Sequence, residues 1–447
     1  MDASSLKPTI VNKIEGFADR VTAAILLTHE DGVIAVCEDK SIRVFQKRDS
    51  GRYWPSICHY APAQCLSADY NEETQRLFVG LSTGVIAEYQ LAADYNSLSQ
   101  KRDYFAHSAG VTCVKLALDC DWLLSAGKDK NFVWCCSETA RRFGFFDCGA
   151  SCLCLEFDTA ARYAFVGDFA GHISVLHVQE QRCDLISKLS AHSASVRSLA
   201  WDAERQHLYS GSFDQLIIVW DIGGRKGTAY ELTGHSARVT SLAFSASCRR
   251  LFSADDSGSL VIWDMNADRR ETPPWTSSDV CERCETPFFW NVRAMWDKRT
   301  VGYRQHHCRL CGKAVCASCS QHTTKYPPMG FELSVRVCDG CHAMLVQRST
   351  DDPDEYDRRM RPLAVTVPTG IGIVALHVDS VQSRVLSAGN DRVLRVCDCT
   401  ALMCTPAPPQ HNSAVAAGTS AGATHRATPN SAGAQPPFVA SNQPLFA

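Results

Sequence analysis

The sequence predicts an all-β fold, a seven-bladed β-propeller that carries a small inserted two-zinc module. Three observations predict it: a β-rich unit recurring about every 43 residues, one long break in that spacing, and four Cys-x-x-Cys pairs inside the break. With 447 residues and 45% hydrophobic composition, the chain can bury a full core and has room for two or three domains.

Each unit ends in a β-rich run closed by an aromatic residue or its substitute: Ser41–Phe45, Gly84–Tyr89, Asn131–Trp134, Gly171–Leu176, Leu216–Trp220, Leu260–Trp263 and Val393–Cys397. From Phe45 to Tyr89, Trp134, Leu176, Trp220 and Trp263 the steps are 44, 45, 42, 44 and 43 residues, the period of WD-type blades. The next step, to Cys397, is 134 residues, so about 90 residues lie beyond one ordinary period. The spacing therefore places blades one to six at 10–266, an insertion between blades six and seven, and blade seven at 363–400.

The fifth unit carries Ala191-His192, Ser210 to Asp214, and Trp220-Asp221, with Gly234-His235 opening the sixth. It resembles the WD40 family, in which the His, Ser, turn Asp and Trp form a hydrogen-bonded network inside a blade; His192, Ser210, Asp214 and Trp220 match those roles. Ser257 stands at the turn-Asp position of the sixth unit, and Leu176-His177 replaces Trp-Asp in the fourth. A catalytic reading of His192 and Asp214 is disfavoured, because Ala106-His107 and Gly234-His235 repeat the pattern. Repetition points to architecture.

The N-terminus has no basic flank followed by an apolar core, and no 18-residue apolar stretch occurs, so a cytosolic setting is expected. In that setting the 23 cysteines are expected to be zinc ligands where paired and small buried hydrophobes where scattered. The pairs are Cys281/Cys284, Cys308/Cys311, Cys316/Cys319 and Cys338/Cys341. One pair supplies two corners of a tetrahedron, so eight thiolates complete two closed sites with no open position for catalysis. Only four residues separate the second pair from the third, which favours an interleaved cross-brace, first with third and second with fourth.

The second pair lies in Arg304-Gln305-His306-His307-Cys308-Arg309-Leu310-Cys311. With eight thiolates saturating two zincs, His306 and His307 are left as hydrogen-bond donors beside arginines, a donor set suited to phosphate; Arg336 before Cys338 adds another fork. An isolated run of this kind is ordinarily a solvated basic loop, but attachment to a zinc pair fixes its side chains on one surface. Together with Trp275-x-x-x-Asp279 and Arg336-Val337-Cys338, the motif resembles the three signature elements of FYVE fingers over about residues 275–345. The resemblance implies a phosphatidylinositol 3-phosphate pocket formed by Arg304, His306, His307, Arg309 and Arg336, with Trp275 and Asp279 at its rim. It also implies a membrane-inserting loop at Val301, Gly302 and Tyr303. Phe288, Phe289, Trp290 and Trp296 either extend that anchor or pack against the zinc core, the usual place of aromatics in small modules. This finger departs from its family in having Gln305 at a usually basic position, a Trp275–Asp279 spacing one residue longer than common, and a long Glu285–His307 stretch.

A finger inserted before the last blade, together with Ile222 to Gly227, resembles the WD-repeat and FYVE domain-containing proteins over about 1–400. That implies a non-enzymatic adaptor at early endosomes whose propeller holds signalling proteins, protein kinases among them. One weak pocket is expected to gain avidity from a homo-oligomer or a propeller-bound partner. The formal net charge of −3 gives no global pull towards nucleic acid. No Gly-rich phosphate loop or nucleophile elbow appears. The rival reading is a RING-type ubiquitin ligase, which shares the cross-brace; it is disfavoured by an all-Cys ligand set and a basic flanking motif. Residues 346–362 read as a solvated linker, and 401–447, rich in Ala, Pro and Ser, as a disordered tail.

Overall fold

In the computed structural model, residues 8–29, 31–223 and 229–403 are described; Thr400–Met403, which takes in the first residues of the expected 401–447 tail, is a short helix with Leu402 buried, while the tail from 404 onwards and most of the Ile222 to Gly227 motif lie outside the described residues. Seven four-stranded antiparallel sheets make the body. Their first strands are Val21–Leu27, Cys65–Asn71, Val111–Ala117, Cys152–Asp158, Val196–Asp202, Val239–Ser245 and Ile373–Asp379. Each packs on its counterpart in the next sheet and the last packs on the first, so the sheets close into a ring of seven blades.

Burial follows position in the blade. Strands such as Gly32–Cys37 and Arg76–Leu81 are buried along their whole length, because a middle strand is covered on both faces by neighbouring blades. Their sequences are accordingly almost continuously apolar. Outer strands such as Tyr53–Tyr60 are mostly exposed or half-buried. Blade contacts are also tied by hydroxyls: Thr22 Oγ1 donates within 3.1 Å of the Val36 carbonyl and 3.0 Å of the Cys65 carbonyl of the next blade. Thr112 and Thr240 repeat this bridge.

The sheets are divided differently from the periods in the sequence. The strand Ala364–Pro368 pairs with Ser259–Asp264 and completes blade six, so the insertion lies inside that blade, before its outermost strand. The strand Thr9–Ile14 pairs with Leu394–Asp398 and is the outermost strand of blade seven. The 10–266 and 363–400 boundaries thus cut across two sheets. The period marks the ends of third strands and carries no information about which blade an adjacent edge strand joins; hydrogen bonding decides that. Pairing an N-terminal strand with a strand from the C-terminal part of the chain in one blade closes the ring of blades.

The expected network is present in blade five: His192 Nδ1 lies 2.9 Å from Asp214, His192 Nε2 2.8 Å from Ser210 Oγ, and Trp220 Nε1 donates to Ser210 Oγ at 2.9 Å. Blade six has it too, but Ser257 does not stand in for the aspartate. Asp255, two residues earlier, reaches His235 Nδ1 at 2.8 Å, and Ser257 Oγ donates to Asp255 at 2.8 Å. The linker is helical: α2 (Asp339–Asp351) and α3 (Pro353–Arg359) follow the short α1 (Val292–Lys298) of the insert. Asp352 caps α3 by accepting from the Glu355 N–H at 3.0 Å, with Pro353 at the first helical position, and α3 buries no residue.

Candidate functional site

Two sulfur clusters form the centre of the insert, Cys281/Cys284/Cys316/Cys319 and Cys308/Cys311/Cys338/Cys341, each with its sulfurs within 4.8 Å of one another. The pairing is interleaved, first pair with third and second with fourth. Cys284 and Cys316 sulfurs are 3.6 Å apart and Cys311 and Cys338 sulfurs 3.9 Å. A tetrahedron with Zn–S bonds of about 2.3 Å separates its sulfurs by about 3.8 Å, so the clusters fit zinc as they stand. Backbone N–H groups support the ligands: Cys316 N donates to Cys281 Sγ at 3.3 Å and Cys338 N to Cys308 Sγ at 3.2 Å. Of the scattered cysteines, Cys37, Cys65 and Cys152 are among those buried in the blades, but Cys58 is exposed and Cys113, Cys120, Cys136, Cys183 and Cys248 are half-buried, so the expectation of small buried hydrophobes holds only in part.

The basic motif is built on two short strand pairs. His306 pairs with Val315 and His307 with Ala314, which fixes the two imidazoles beside the second cluster. Arg336 sits on the hairpin strand Phe331–Val337, and Arg309 N donates to the Arg336 carbonyl at 3.1 Å, joining the two motifs. His306 is held below its ordinary pKa range by partial burial first, then by the nearby Arg336, Arg304 and His307 side chains. Arg304 is exposed, while the Arg336 guanidinium donates to the Ser320 carbonyl at 2.8 Å. His307 Nε2 lies 3.1 Å from the Thr276 carbonyl and its ring stacks on Trp275, with centroids 4.5 Å apart and planes 8° off parallel. Asp279 accepts from Trp290 Nε1 at 2.9 Å.

Arg309 faces another way. Its guanidinium lies over the Trp275 ring, 4.9 Å from the centroid, and Nη1 donates to both oxygens of Glu231 at 3.2 and 3.0 Å. Glu231 belongs to Ala229–Leu232, the outermost strand of blade five. Nothing local in the chain marks this residue's place in the site, because a contact between residues 78 positions apart leaves no local pattern.

Of the loop residues, Val301 is 82% exposed and Tyr303 is also exposed. Gly302 is buried: its N–H points to Met295 Sδ at 2.9 Å, and a Cβ there would meet the Phe288 carbonyl oxygen at 2.9 Å. Gly302 is therefore a packing residue that lets the loop cross Phe288, not an inserting one. Phe288 packs in the zinc core, whereas Phe289, Trp290, Val292 and Trp296 are exposed, Trp296 at 84%.

The FYVE zinc finger family model matches residues 273–347, and the WD domain, G-beta repeat model matches 98–134, 183–221 and 227–264. WD repeat and FYVE domain-containing protein 2 of Mus musculus is 47% identical over 394 residues, covering 88% of this chain and 96% of the relative. The chain belongs to the WD repeat and FYVE domain-containing family. Protein 1 of that family from Bos taurus is 46% identical over 398 residues, covering 89% of this chain and 94% of the relative. A solved structure, the WD40 β-propeller domain of Doa1, matches with a TM-score of 0.56 at 13% identity, covering 88% of this chain and 97% of that one; it bears on the fold alone. As a family member with a FYVE finger and both sulfur clusters in place, the chain holds two zinc ions.

Proposed function

We propose that this family member is a peripheral membrane adaptor. Its finger docks on early endosomes that display phosphatidylinositol 3-phosphate, and its propeller holds signalling proteins, protein kinases among them. The observation that carries the reading is the joining of the Arg304–His307 run to the Arg336 strand beside the second sulfur cluster, next to an exposed apolar lobe. A phosphate calls for such donors, and a bilayer for such a lobe. Arg304, His306, His307 and Arg336 bind the headgroup phosphate and ring hydroxyls, with Trp275 and Asp279 at the rim. Val301 and Tyr303, with Trp296, Trp290 and Phe289 around them, enter the interfacial layer.

No helix among the described residues is long and apolar enough to cross a membrane, in keeping with attachment through this surface. Liposome sedimentation of the full chain tests the reading. Vesicles with the 3-phosphate lipid should bind more tightly than vesicles with unphosphorylated phosphatidylinositol, and Arg304→Ala should erase most of the difference. Equal binding to both vesicle types would refute it.

A further inference from the structure

We propose that Glu231 of the propeller is an intramolecular competitor for Arg309, withholding this arginine from an anionic headgroup while the finger is seated on blade five. The inference rests on the lipid reading above and specifies how the propeller regulates that pocket.

The seat is a built contact. Thr233, just past the outermost strand of blade five, donates from its N–H to the Gly330 carbonyl at 2.9 Å. Its carbonyl accepts from Glu332 N and Leu333 N, each at 3.0 Å, so the finger's hairpin continues the edge of the blade. Gly330 has φ of +87°, and a Cβ there would lie 2.3 Å from the Glu231 carbonyl oxygen. Only glycine permits this approach, because it both adopts positive φ freely and leaves the space empty. Phe331 beside it is fully buried.

Glu231 is 2% exposed. Burial pushes its carboxyl pKa up, and the charge and hydrogen bonds of Arg309 pull it back; Asp214 adds to the rise and His192 opposes it. A buried carboxylate stripped of its partner is strongly disfavoured, so Glu231 holds Arg309 firmly. A phosphate reaching the remaining edge of that guanidinium would meet a cation whose charge is already balanced. It would also feel the carboxylate's own repulsion. Arg304 and Arg336, which have no ion pair with an acidic side chain among the described residues, carry no such handicap. Seated, the pocket works with Arg304, Arg336 and the histidines. Unseated, it gains Arg309.

Full-length protein and phosphatidylcholine vesicles, with or without phosphatidylinositol 3-phosphate, test this. Glu231→Gln keeps the shape and an acceptor but removes the charge; it should bind the 3-phosphate vesicles about tenfold more tightly, the worth of one charge-assisted contact. Arg309→Ala in the otherwise native chain should bind within about twofold of native, and in the Glu231→Gln background it should abolish the gain. Gly330→Ala leaves every charge in place and unseats the finger, so it too should raise binding. Zinc content and melting temperature verify that each variant is folded.

Unchanged or weaker binding by both Glu231→Gln and Gly330→Ala would overturn the inference, as would an Arg309→Ala loss as large as that of Arg304→Ala. In those outcomes the native chain still prefers the 3-phosphate vesicles, and only the competition fails. A native chain that ignores the 3-phosphate overturns the lipid reading and this inference with it.

Discussion

Replacing Trp296 with Ala should weaken membrane binding without disturbing the fold. A tryptophan buries up to roughly 250 Å², so at 84% exposure about 200 Å² of Trp296 faces solvent. Moving half of that area out of water at roughly 25 cal/mol per Å² is worth about 2.5 kcal/mol, of which an alanine keeps a small part. The net loss is about 2 kcal/mol, or roughly thirtyfold in affinity. Sedimentation with vesicles of fixed 3-phosphate content measures it directly. The melting temperature should not move, since surface substitutions away from packed features change stability by about 0.5 kcal/mol or less. Phe288→Ala is the opposite control: the ring is fully buried against the zinc core, so its loss should cost about 3–5 kcal/mol of finger stability. A Trp296→Ala protein that binds within about twofold of native would refute the reasoning, because the apolar lobe would then be exposed for some reason other than the bilayer.

A strong chelator should remove two zinc ions per chain, unfold the insert and abolish vesicle binding, while the β-sheet circular dichroism of the propeller persists; metal analysis finding one zinc or none in native protein would contradict this. A third prediction concerns acid. Burial would raise the Asp255 carboxyl pKa, but hydrogen bonds from His235, the Ser259 N–H and Ser257 outweigh it and hold it at about 2, below its ordinary 3.8. A depressed carboxylate contributes its stability above the unfolded-state value and loses it as pH falls, so up to roughly 2 kcal/mol should vanish between about pH 4 and pH 2. Asp255→Asn should flatten that acid limb in urea melts across the same window, and an unaltered slope would place the acid-sensitive group elsewhere.

The zinc centres were legible in the sequence because a metal site needs particular ligands at short spacings, and Cys-x-x-Cys at four positions satisfies that locally. The propeller was legible for a similar reason, since a period of about 43 residues survives degeneration of single blades such as the fourth. Misreading Ser257 for Asp255 shows the limit of register by motif: the histidine is served by whichever carboxylate reaches it, and a two-residue shift brings Asp255 within 2.8 Å.

Residue order alone carried the chemistry that is local in the chain: two tetrahedral thiolate sets, a basic run beside one of them, and a repeated blade. The tertiary structure decided which blade the edge strands Thr9–Ile14 and Ala364–Pro368 complete. It also decided which aromatics stay outside the zinc core and where Arg309 points. Nothing in the residue pattern of either edge strand names the blade it joins, so only their hydrogen-bond partners assign them. Trp296 and Phe288 are equally apolar in sequence, and only the small volume of the zinc core, filled by Phe288, leaves Trp296 in solvent. The pairing of Arg309 with Glu231 joins two domains that are distant in the chain, and such a contact exists only once both are folded and one is seated on the other.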